Sequence, residues 1–337
     1  MRNILSDTQR QGIILMYHRV ADPEFDPWMI NVSPGHFEEH MRVLGKLGGL
    51  VKVSDLGGTF GRLPFIKKKI AVTFDDGYAD NYYNAKPVLE RYGIPATFFI
   101  MTGVVDSREE FWWDDLGRIV LAAQSVPEIF DLMISGKRYC WEIKPKDKGN
   151  TNDSVQAVTN IPSEGMVLSR MQFYYVLWEI ISHLSVKDKK SAIEEIAGWA
   201  GVPFGFRVEN LPMTSLELKS LARLGAFEIG AHTVNHPHLS RFSPETQEEE
   251  IGRSKRDLEQ LTGHEITSFA YPHGDYTEDT VQILKRLKFR KACTVIEQAV
   301  MRGTDPLLLP RFMVRDWNGD QFKRQLGEWM HEAGSGN

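Results

Sequence analysis

The sequence predicts an α/β protein built as a distorted parallel (β/α) barrel with a mainly helical insertion. Short apolar runs of strand length alternate with helical segments along most of the chain, which is typical of βα units. Several of these runs end on polar side chains, as parallel strands do where their carboxyl ends form a site. One long stretch, residues 106–213, interrupts the alternation.

The first predicted βα unit lies at the start of the chain. Residues 12–18 are apolar as far as His18, as in a strand that is covered on both faces. A helix is predicted to begin at Pro34 and to end at Gly48. A short strand over residues 50–53 follows.

The second unit contains two adjacent carboxylates. Residues 69–74 predict a buried strand, and Asp75, Asp76 and Gly77 follow it directly. Neighbouring side chains of a strand point to opposite faces, but the backbone bends where a strand ends, so both carboxylates can reach one cavity. Glycine permits the sharp turn. The alternative is that one aspartate caps the helix that follows.

The insertion at 106–213 has a different composition. Trp112 and Trp113 begin a helical segment and could stack on the ring of a bound substrate or belong to the core. Two amphipathic helices are predicted over 170–184 and 187–199. Loops at the carboxyl-end face of such barrels determine specificity, so we expect the insertion to shape substrate choice.

The βα alternation then resumes. Before the insertion, the sequence also predicts a helix over 84–92 and a strand over 95–100. After the insertion, it predicts a helix over 216–224 capped by Thr214 or Ser215, a strand over 227–231, a long helix from Ser243 and a strand over 266–271. A helix over 280–287 and strands over 291–295 and 307–311 come last. The acidic run Glu248–Glu250 at the start of the long helix indicates a solvated face.

Two histidines follow the strand over 227–231. His232 and His236 are four residues apart, and a tight loop can bring them together. Two histidines and one aspartate offer three N/O ligands and leave room for water, which is the pattern of a catalytic divalent metal site. A single histidine here would more often be structural.

Three stretches resemble the motifs of one enzyme family. Residues 73–77 (TFDDG) and 232–236 (HTVNH) look like the first and second motifs of the polysaccharide deacetylases, the NodB-like carbohydrate esterase family 4. Residues 269–274 (FAYPHG) are similar to the third motif in their Pro-x-Gly core. The resemblance covers residues 12–100 and 214–315.

The resemblance implies a single polysaccharide-deacetylase-like catalytic domain of the NodB barrel type over residues 1–337, with the insertion at about 106–213. It implies a hydrolase that removes N-acetyl groups from an amino-sugar glycan or glycan precursor, using a divalent metal held by Asp76, His232 and His236. Such N/O ligands favour Zn²⁺, and Co²⁺, Ni²⁺ or Fe²⁺ suit them too.

The resemblance also implies roles around the metal. Asp75 would act as general base, and the third motif would place Tyr271 and the backbone N–H of His273 at the substrate and the oxyanion. The family's third motif carries an arginine that pairs with the catalytic aspartate, but Ala270 occupies that position here. We expect Arg311 to take over the pairing.

The general acid is predicted at the front of the chain. Most members of the family take it from a Leu-x-His stretch near the C-terminus, where this chain offers His331. Residues 15–18 look like the same strand in permuted order, as in members similar to the poly-N-acetylglucosamine deacetylases, so His18 is preferred. Candidates for the fourth motif are residues 316–317 and Trp28.

The composition argues against a nucleic-acid-binding protein and against a disulfide-rich one. The chain has 337 residues, 42% hydrophobic and 25% charged, with a net charge of −5, which does not suggest a nucleic-acid surface. Its two cysteines, Cys140 and Cys293, do not make a disulfide framework. Neither a signal peptide nor an apolar run of membrane-spanning length is recognisable, so we expect a cytoplasmic enzyme. The resemblance implies an N-acetylated sugar as its substrate.

Two other functions stay open at this point. One is a metal-dependent hydrolase of another C–N bond, similar to allantoinases, which would need a compact pocket without sugar-stacking aromatics. The other is a carbohydrate-binding relative that kept the fold and lost the activity.

Overall fold

The computed structural model describes residues 10–56, 68–144, 161–203 and 205–331. The chain divides into two compact units. The first comprises Met1–Asp22, Met29–Ser107 and Pro212–Asn337, and the second comprises Pro23–Trp28 and Arg108–Leu211. The short segment Pro23–Trp28 therefore joins the inserted part of the chain, which the sequence pattern did not predict.

The strands are short. They are β1 (Arg10–Tyr17), β2 (Arg19–Val20), β3 (Asn31–Val32), β4 (Leu50–Val51), β5 (Lys69–Phe74), β6 (Ala96–Ile100), β7 (Ile129–Ile134), β8 (Lys137–Ile143), β9 (Val167–Leu168), β10 (Phe227–Ala231), β11 (Ser268–Ala270), β12 (Lys291–Cys293), β13 (Val300–Met301) and β14 (Phe312–Met313).

The α-helices belong to both units, and those of the first unit alternate with its strands. They are α1 (Pro34–Leu47), α2 (Lys86–Tyr92), α3 (Trp112–Gly117), α4 (Arg170–Ser182), α5 (Val186–Ala200), α6 (Ser215–Ala222), α7 (Pro244–Thr262), α8 (Glu278–Arg286) and α9 (Gly319–His331). Single π-helical turns, Asn81–Ala85 and Arg118–Ala122, precede α2 and follow α3.

Local chemistry explains where the helices begin and end. Thr214 accepts a hydrogen bond from the backbone of Glu217 at the start of α6, and the Glu217 side chain bonds back, which forms a capping box. Pro34 and Pro244 occupy the first turns of α1 and α7, where proline costs no hydrogen bond. Gly263 ends α7 in a left-handed conformation.

The main sheet belongs to the first unit. Its described strands run in the order β12-β11-β10-β6-β5-β1-β13, with β4 paired to β5 and β14 paired to β1. All of these pairs are parallel except β1 with β13. The register of β1 on β5 places Tyr17 beside Phe74, so the residues after both strands leave the sheet at the same edge. The predicted parallel (β/α) barrel is confirmed.

The prediction of a final strand over 307–311 is wrong. Leu309 forms an isolated parallel bridge with Cys293 in β12, and the paired strand β14 begins only after Arg311. Pro310 lacks the backbone N–H that a continuous ladder needs, and it restricts the residue before it. This stretch bonds to β12 through Leu309 and to β1 through β14, so it connects the two sides of the curled sheet.

The core of the first unit lies between the sheet and its helices. Phe74 stacks between Tyr17 and Phe98, with ring centroids 5.5 and 5.0 Å apart, and all three side chains are buried. Apolar burial of this kind contributes about 25 cal/mol per Å² of surface removed from water. The packed strands therefore fix the positions of the residues that follow them.

The second unit combines helices α3–α5 with a three-stranded sheet of β7, β8 and β9. This sheet is missing from the prediction, because its strands β7 and β8 alternate buried and exposed residues over only six or seven positions. Trp113 is buried in this unit, so it is a core residue. Trp112 is half-buried, and the centroid of its ring lies 5.8 Å from that of Trp178.

None of the helices α1–α9 has the hydropathy of a membrane span over its described residues. In the part of the chain that the structure describes, no helix is both long and apolar enough to cross a membrane.

Candidate active site

The candidate site begins with the turn after β5. Asp76 and Gly77 have positive φ angles of 71° and 92°, and the N–H of Gly77 donates to the carbonyl of Asp75 at 2.9 Å. A Cβ at Gly77 would lie 3.2 Å from the Ile100 side chain, so glycine suits both the backbone conformation and the space. The turn sends the two adjacent carboxylates to different partners.

Asp76 meets the two histidines that follow β10. Its Oδ1 lies 3.4 Å from Nε2 of His232 and 3.4 Å from Nε2 of His236. One ligand atom from each of the three residues lies within 4.8 Å of the other two, and the side chains of all three are at least nine-tenths buried. The structure thus brings together the three residues that the sequence predicts as metal ligands.

The donor set fits a divalent ion. His232 lies with Nδ1 2.8 Å from the carbonyl of Ala270, an arrangement in which Nδ1–H donates and Nε2 carries the lone pair. That Nε2 is buried and makes no hydrogen bond to the described residues. Two ligand atoms about 2.1 Å from one ion at a tetrahedral angle are about 3.4 Å apart, which matches the spacing of these side chains.

Asp75 pairs with Arg311, as expected from the missing arginine at Ala270. Nη1 and Nη2 of Arg311 donate to Oδ1 and Oδ2 of Asp75, both at 2.7 Å, and Nε donates to the carbonyl of Thr294 at 2.9 Å. Both side chains are buried. Burial alone would raise the pKa of Asp75, but the charge and hydrogen bonds of Arg311 outweigh it and hold the pKa below its usual range.

His18 follows β1 beside these carboxylates. Its carbonyl accepts a hydrogen bond from Nδ2 of Asn81 at 2.8 Å, and Asp80 accepts from Nε of Arg19 and from the N–H of Val20, at 2.9 and 3.0 Å. His18 and the two residues that follow it are therefore held by two residues just beyond the Asp-Asp-Gly turn. The polar pair Asp80-Asn81 is a signal that the sequence analysis missed.

The electrostatic surroundings of His18 also place it at the site. Burial lowers its pKa from the ordinary value, while the charges of Asp76 and Asp75 act in the opposite direction and that of Arg311 in the same direction. The charges of Asp75 and Asp76 act on the imidazole of His18, which agrees with a position near the candidate metal ligands.

His331 belongs to a different part of the molecule. Its helix α9 is packed on the core of the first unit through Phe322, Leu326 and Trp329. Nζ of Lys68 donates to the carbonyl of Met330 at 3.2 Å, which places the end of α9 near the start of β5. The six residues of β5 span about 20 Å, so the backbone at the end of α9 lies near the opposite edge of the sheet.

The third motif contributes differently from the prediction. The ring of Tyr271 is fully buried in the core, and its hydroxyl donates to the carbonyl of Leu307 at 2.8 Å. The ring lies on the same face as that of Phe269, which is the face turned to the core, so the predicted place of Tyr271 at the substrate stays a prediction for its backbone. His273 lies beside the ligand group, with its ring centroid 4.3 Å from His236 and 4.0 Å from His238.

The two candidates for the fourth motif have partners of their own. Oδ1 of Asp316 accepts hydrogen bonds from the N–H and the hydroxyl of Ser33, both at 2.9 Å, so it caps the start of α1. Trp317 packs partly buried against Trp329. Trp28 belongs to the second unit, where its Nε1 donates to the hydroxyl of Tyr174 at 3.0 Å.

Comparison with known proteins places this site in a family. The family model described as polysaccharide deacetylase matches residues 63–127 and 196–292. YxkH of Bacillus subtilis, which provisionally carries the name polysaccharide deacetylase, is 22% identical over 304 residues, 89% of this chain and 70% of that protein. A poly-beta-1,6-N-acetyl-D-glucosamine N-deacetylase of Staphylococcus aureus is 25% identical over 134 residues, which cover 36% of this chain and less than half of that protein, 45%.

A solved structure shares the fold. The deacetylase PplD of Streptococcus pyogenes, determined in complex with acetate, aligns with a TM-score of 0.57 and 19% identity over 95% of this chain and 99% of that one. The match spans both stretches of the family model and the part between them. By its motifs, its fold and this family match, the chain contains a polysaccharide deacetylase domain.

Proposed function

We propose that the protein is a metal-dependent hydrolase that removes N-acetyl groups from an amino-sugar glycan or glycan precursor. The observation that supports this most strongly is the group Asp76, His232 and His236, which lies directly beside the buried Asp75–Arg311 pair. Three N/O ligands with an adjacent carboxylate are what hydrolysis of an amide needs. The curated relative that acts on poly-beta-1,6-N-acetyl-D-glucosamine supports an N-acetylglucosamine polymer as the substrate class.

Asp76, His232 and His236 would hold the ion. A divalent ion bound there supplies a Lewis acid that polarises the acetyl oxygen and lowers the pKa of the attacking water. The donor set of two imidazoles and one carboxylate favours Zn²⁺ among the common metals. The tautomer of His232, set by the carbonyl of Ala270, presents Nε2 for this purpose.

Asp75 acts as the general base. Its carboxylate accepts the proton of the attacking water, and Arg311 keeps both of its oxygens fixed by two hydrogen bonds of 2.7 Å. The pairing also keeps Asp75 ionised, since its pKa lies below the usual range. Ionisation at neutral pH is necessary for a base, although the same arginine makes the carboxylate a weaker one.

His18 acts as the general acid, and His273 contributes to the oxyanion hole. His18 follows β1 at the strand edge that carries Asp75, where it can give a proton to the departing amine. The backbone N–H of His273 is the proposed donor to the oxyanion. Only the backbone of the third motif is assigned this role, because the ring of Tyr271 is in the core.

The test is acetate release from β-1,4- and β-1,6-linked N-acetylglucosamine oligomers, before and after treatment with a chelator. We expect release that stops on chelation, returns when Zn²⁺ is added, and is absent in Asp76→Ala. Asp257→Ala is the matched control, because Asp257 forms an exposed ion pair with Arg253 on α7.

Two results would contradict the proposal. Turnover of a cyclic ureide without acetate release would indicate a hydrolase of another C–N bond. Binding of the oligomers without any turnover, in a chain that carries its metal, would indicate an inactive relative.

A further inference from the structure

The loop between the two histidines has an unusual backbone. Thr233 and His236 both have positive φ angles, 63° and 54°, although neither is glycine. Conformations of this kind are unfavourable for residues other than glycine and persist only where the surrounding structure imposes them. The loop therefore depends on contacts from its neighbours.

Glu250 of α7 supplies one such set of contacts. Its Oε2 accepts hydrogen bonds from the backbone N–H groups of Val234 and Asn235 at 3.0 and 2.9 Å. Its Oε1 accepts a hydrogen bond from Nδ2 of Asn235 at 2.6 Å. Val234 and Asn235 lie between the two histidines in the chain. One half-buried carboxylate thus binds the middle of the loop with both of its oxygens.

The opposite side of the loop is held by the segment after β6. The N–H of Gly103 donates to the carbonyl of Val234 at 2.8 Å, and that of Thr102 donates to the carbonyl of Thr233 at 3.1 Å. A Cβ at Gly103 would lie 2.6 Å from the Val234 carbonyl, so the loop packs closely on this backbone. Glu250 provides the carboxylate that closes the other side.

We propose that Glu250 is a positioning residue that holds the His232–His236 loop in the geometry that binds a divalent ion. This inference rests on the proposed metal site. Glu250 does not contact the reacting atoms and acts through the backbone of Val234 and Asn235. Groups that orient metal ligands in this way typically change metal affinity 10–100-fold when they are removed.

The same helix offers matched controls. The sequence analysis assigned Glu248–Glu250 to a solvated face, and that holds for two of the three. Glu249 forms an exposed, long ion pair of 3.6 Å with Arg256, and Glu248 pairs with Arg286 at the surface. The expectation is wrong for Glu250, which is turned to the loop.

The experiment is a titration of the metal-free chain with Co²⁺, followed by visible absorption, for wild type, Glu250→Ala, Glu250→Gln and Glu249→Ala. We expect Glu250→Ala to raise the dissociation constant for Co²⁺ by on the order of 10-fold or more and to alter the visible absorption bands of the bound Co²⁺. Glu250→Gln keeps the size and one acceptor oxygen, so it restores part of the affinity. Glu249→Ala matches wild type.

Three results would overturn the inference, and they separate it from the proposed function. If wild type binds Co²⁺ and Glu250→Ala binds it as tightly as Glu249→Ala does, Glu250 does not position the loop and the metal site stands. If Glu250→Ala fails to fold, Glu250→Met decides, because it keeps the stem and offers no acceptor oxygen, and wild-type affinity in that variant refutes the role. If wild type itself binds no Co²⁺, the metal site and the inference both fail.

Discussion

The pair Asp75–Arg311 allows a quantitative test, because Arg311 is fully buried and makes four hydrogen bonds. Two of them go to Asp75, and the others go to the hydroxyl of Thr73 and the carbonyl of Thr294. Arg311→Met keeps an unbranched apolar stem and removes the charge and the hydrogen-bond donors. The carboxylate of Asp75 is then left buried without a cation, which costs about 3–5 kcal/mol of folding free energy.

Arg311→Met should also lower the rate of turnover. Burial is the largest influence on the pKa of Asp75 and acts to raise it, and Arg311 is the main group that opposes it. Without Arg311 the carboxyl is expected to be protonated at a pH where the wild-type group is ionised. A protonated Asp75 cannot accept a proton, so turnover should fall by about 10²–10⁴-fold, as in Asp75→Asn.

Urea unfolding and acetate release measure the two effects. The double variant Asp75→Asn/Arg311→Met should be more stable than Arg311→Met alone, since it leaves no charge unpaired. Arg290→Met is the matched control: Arg290 forms an exposed pair with Glu265, and its loss should cost less than about 1 kcal/mol and leave turnover unchanged. If Arg311→Met were as stable and as active as Arg290→Met, the assigned pairing would be refuted.

Three further predictions concern other parts of the chain. His18→Ala should lose about 10²–10⁴-fold in turnover with its metal retained, while His331→Ala should be nearly silent; the reverse pair of rates would move the general acid to α9. Burial lowers the pKa of His40 to about 4, so its neutral form contributes stability above pH 6.5 that is lost as the pH falls toward 4. Urea unfolding at pH 7 and 4.5 should show wild type losing about 2 kcal/mol more than His40→Gln, and equal losses would contradict this. Trp112→Ala with Trp178→Ala should raise KM for long acetylated oligomers more than for the disaccharide, and an equal effect on both would argue against a role of the second unit in substrate choice.

Much of the first unit could be predicted because its signals are local. Buried parallel strands are continuous apolar runs, and the residues that end them meet at one edge of the sheet. That argument alone brings Asp76 and His232 together, as the structure does. The pairing of Asp75 with Arg311 needed the comparison with the family pattern, because the two residues are 236 positions apart.

The remaining features depend on tertiary contacts that the sequence does not encode locally. Glu250 reads as one of three exposed acids, and only the packing of α7 against the histidine loop distinguishes it. Tyr271 sits in a recognisable motif, but the side of β11 on which it lies decides that its ring belongs to the core. The sheet of the second unit escaped prediction because a short hairpin has a weak pattern.

The central claim is that Asp76, His232 and His236 hold one divalent ion. Its most direct test is the metal content of the purified chain after equilibration with Zn²⁺, measured for wild type, His236→Ala and the exposed control His264→Ala. We predict about one ion per chain in wild type and in His264→Ala, and loss of most of it in His236→Ala. A wild-type chain without bound metal, or a His236→Ala chain that keeps a full equivalent, would contradict the claim.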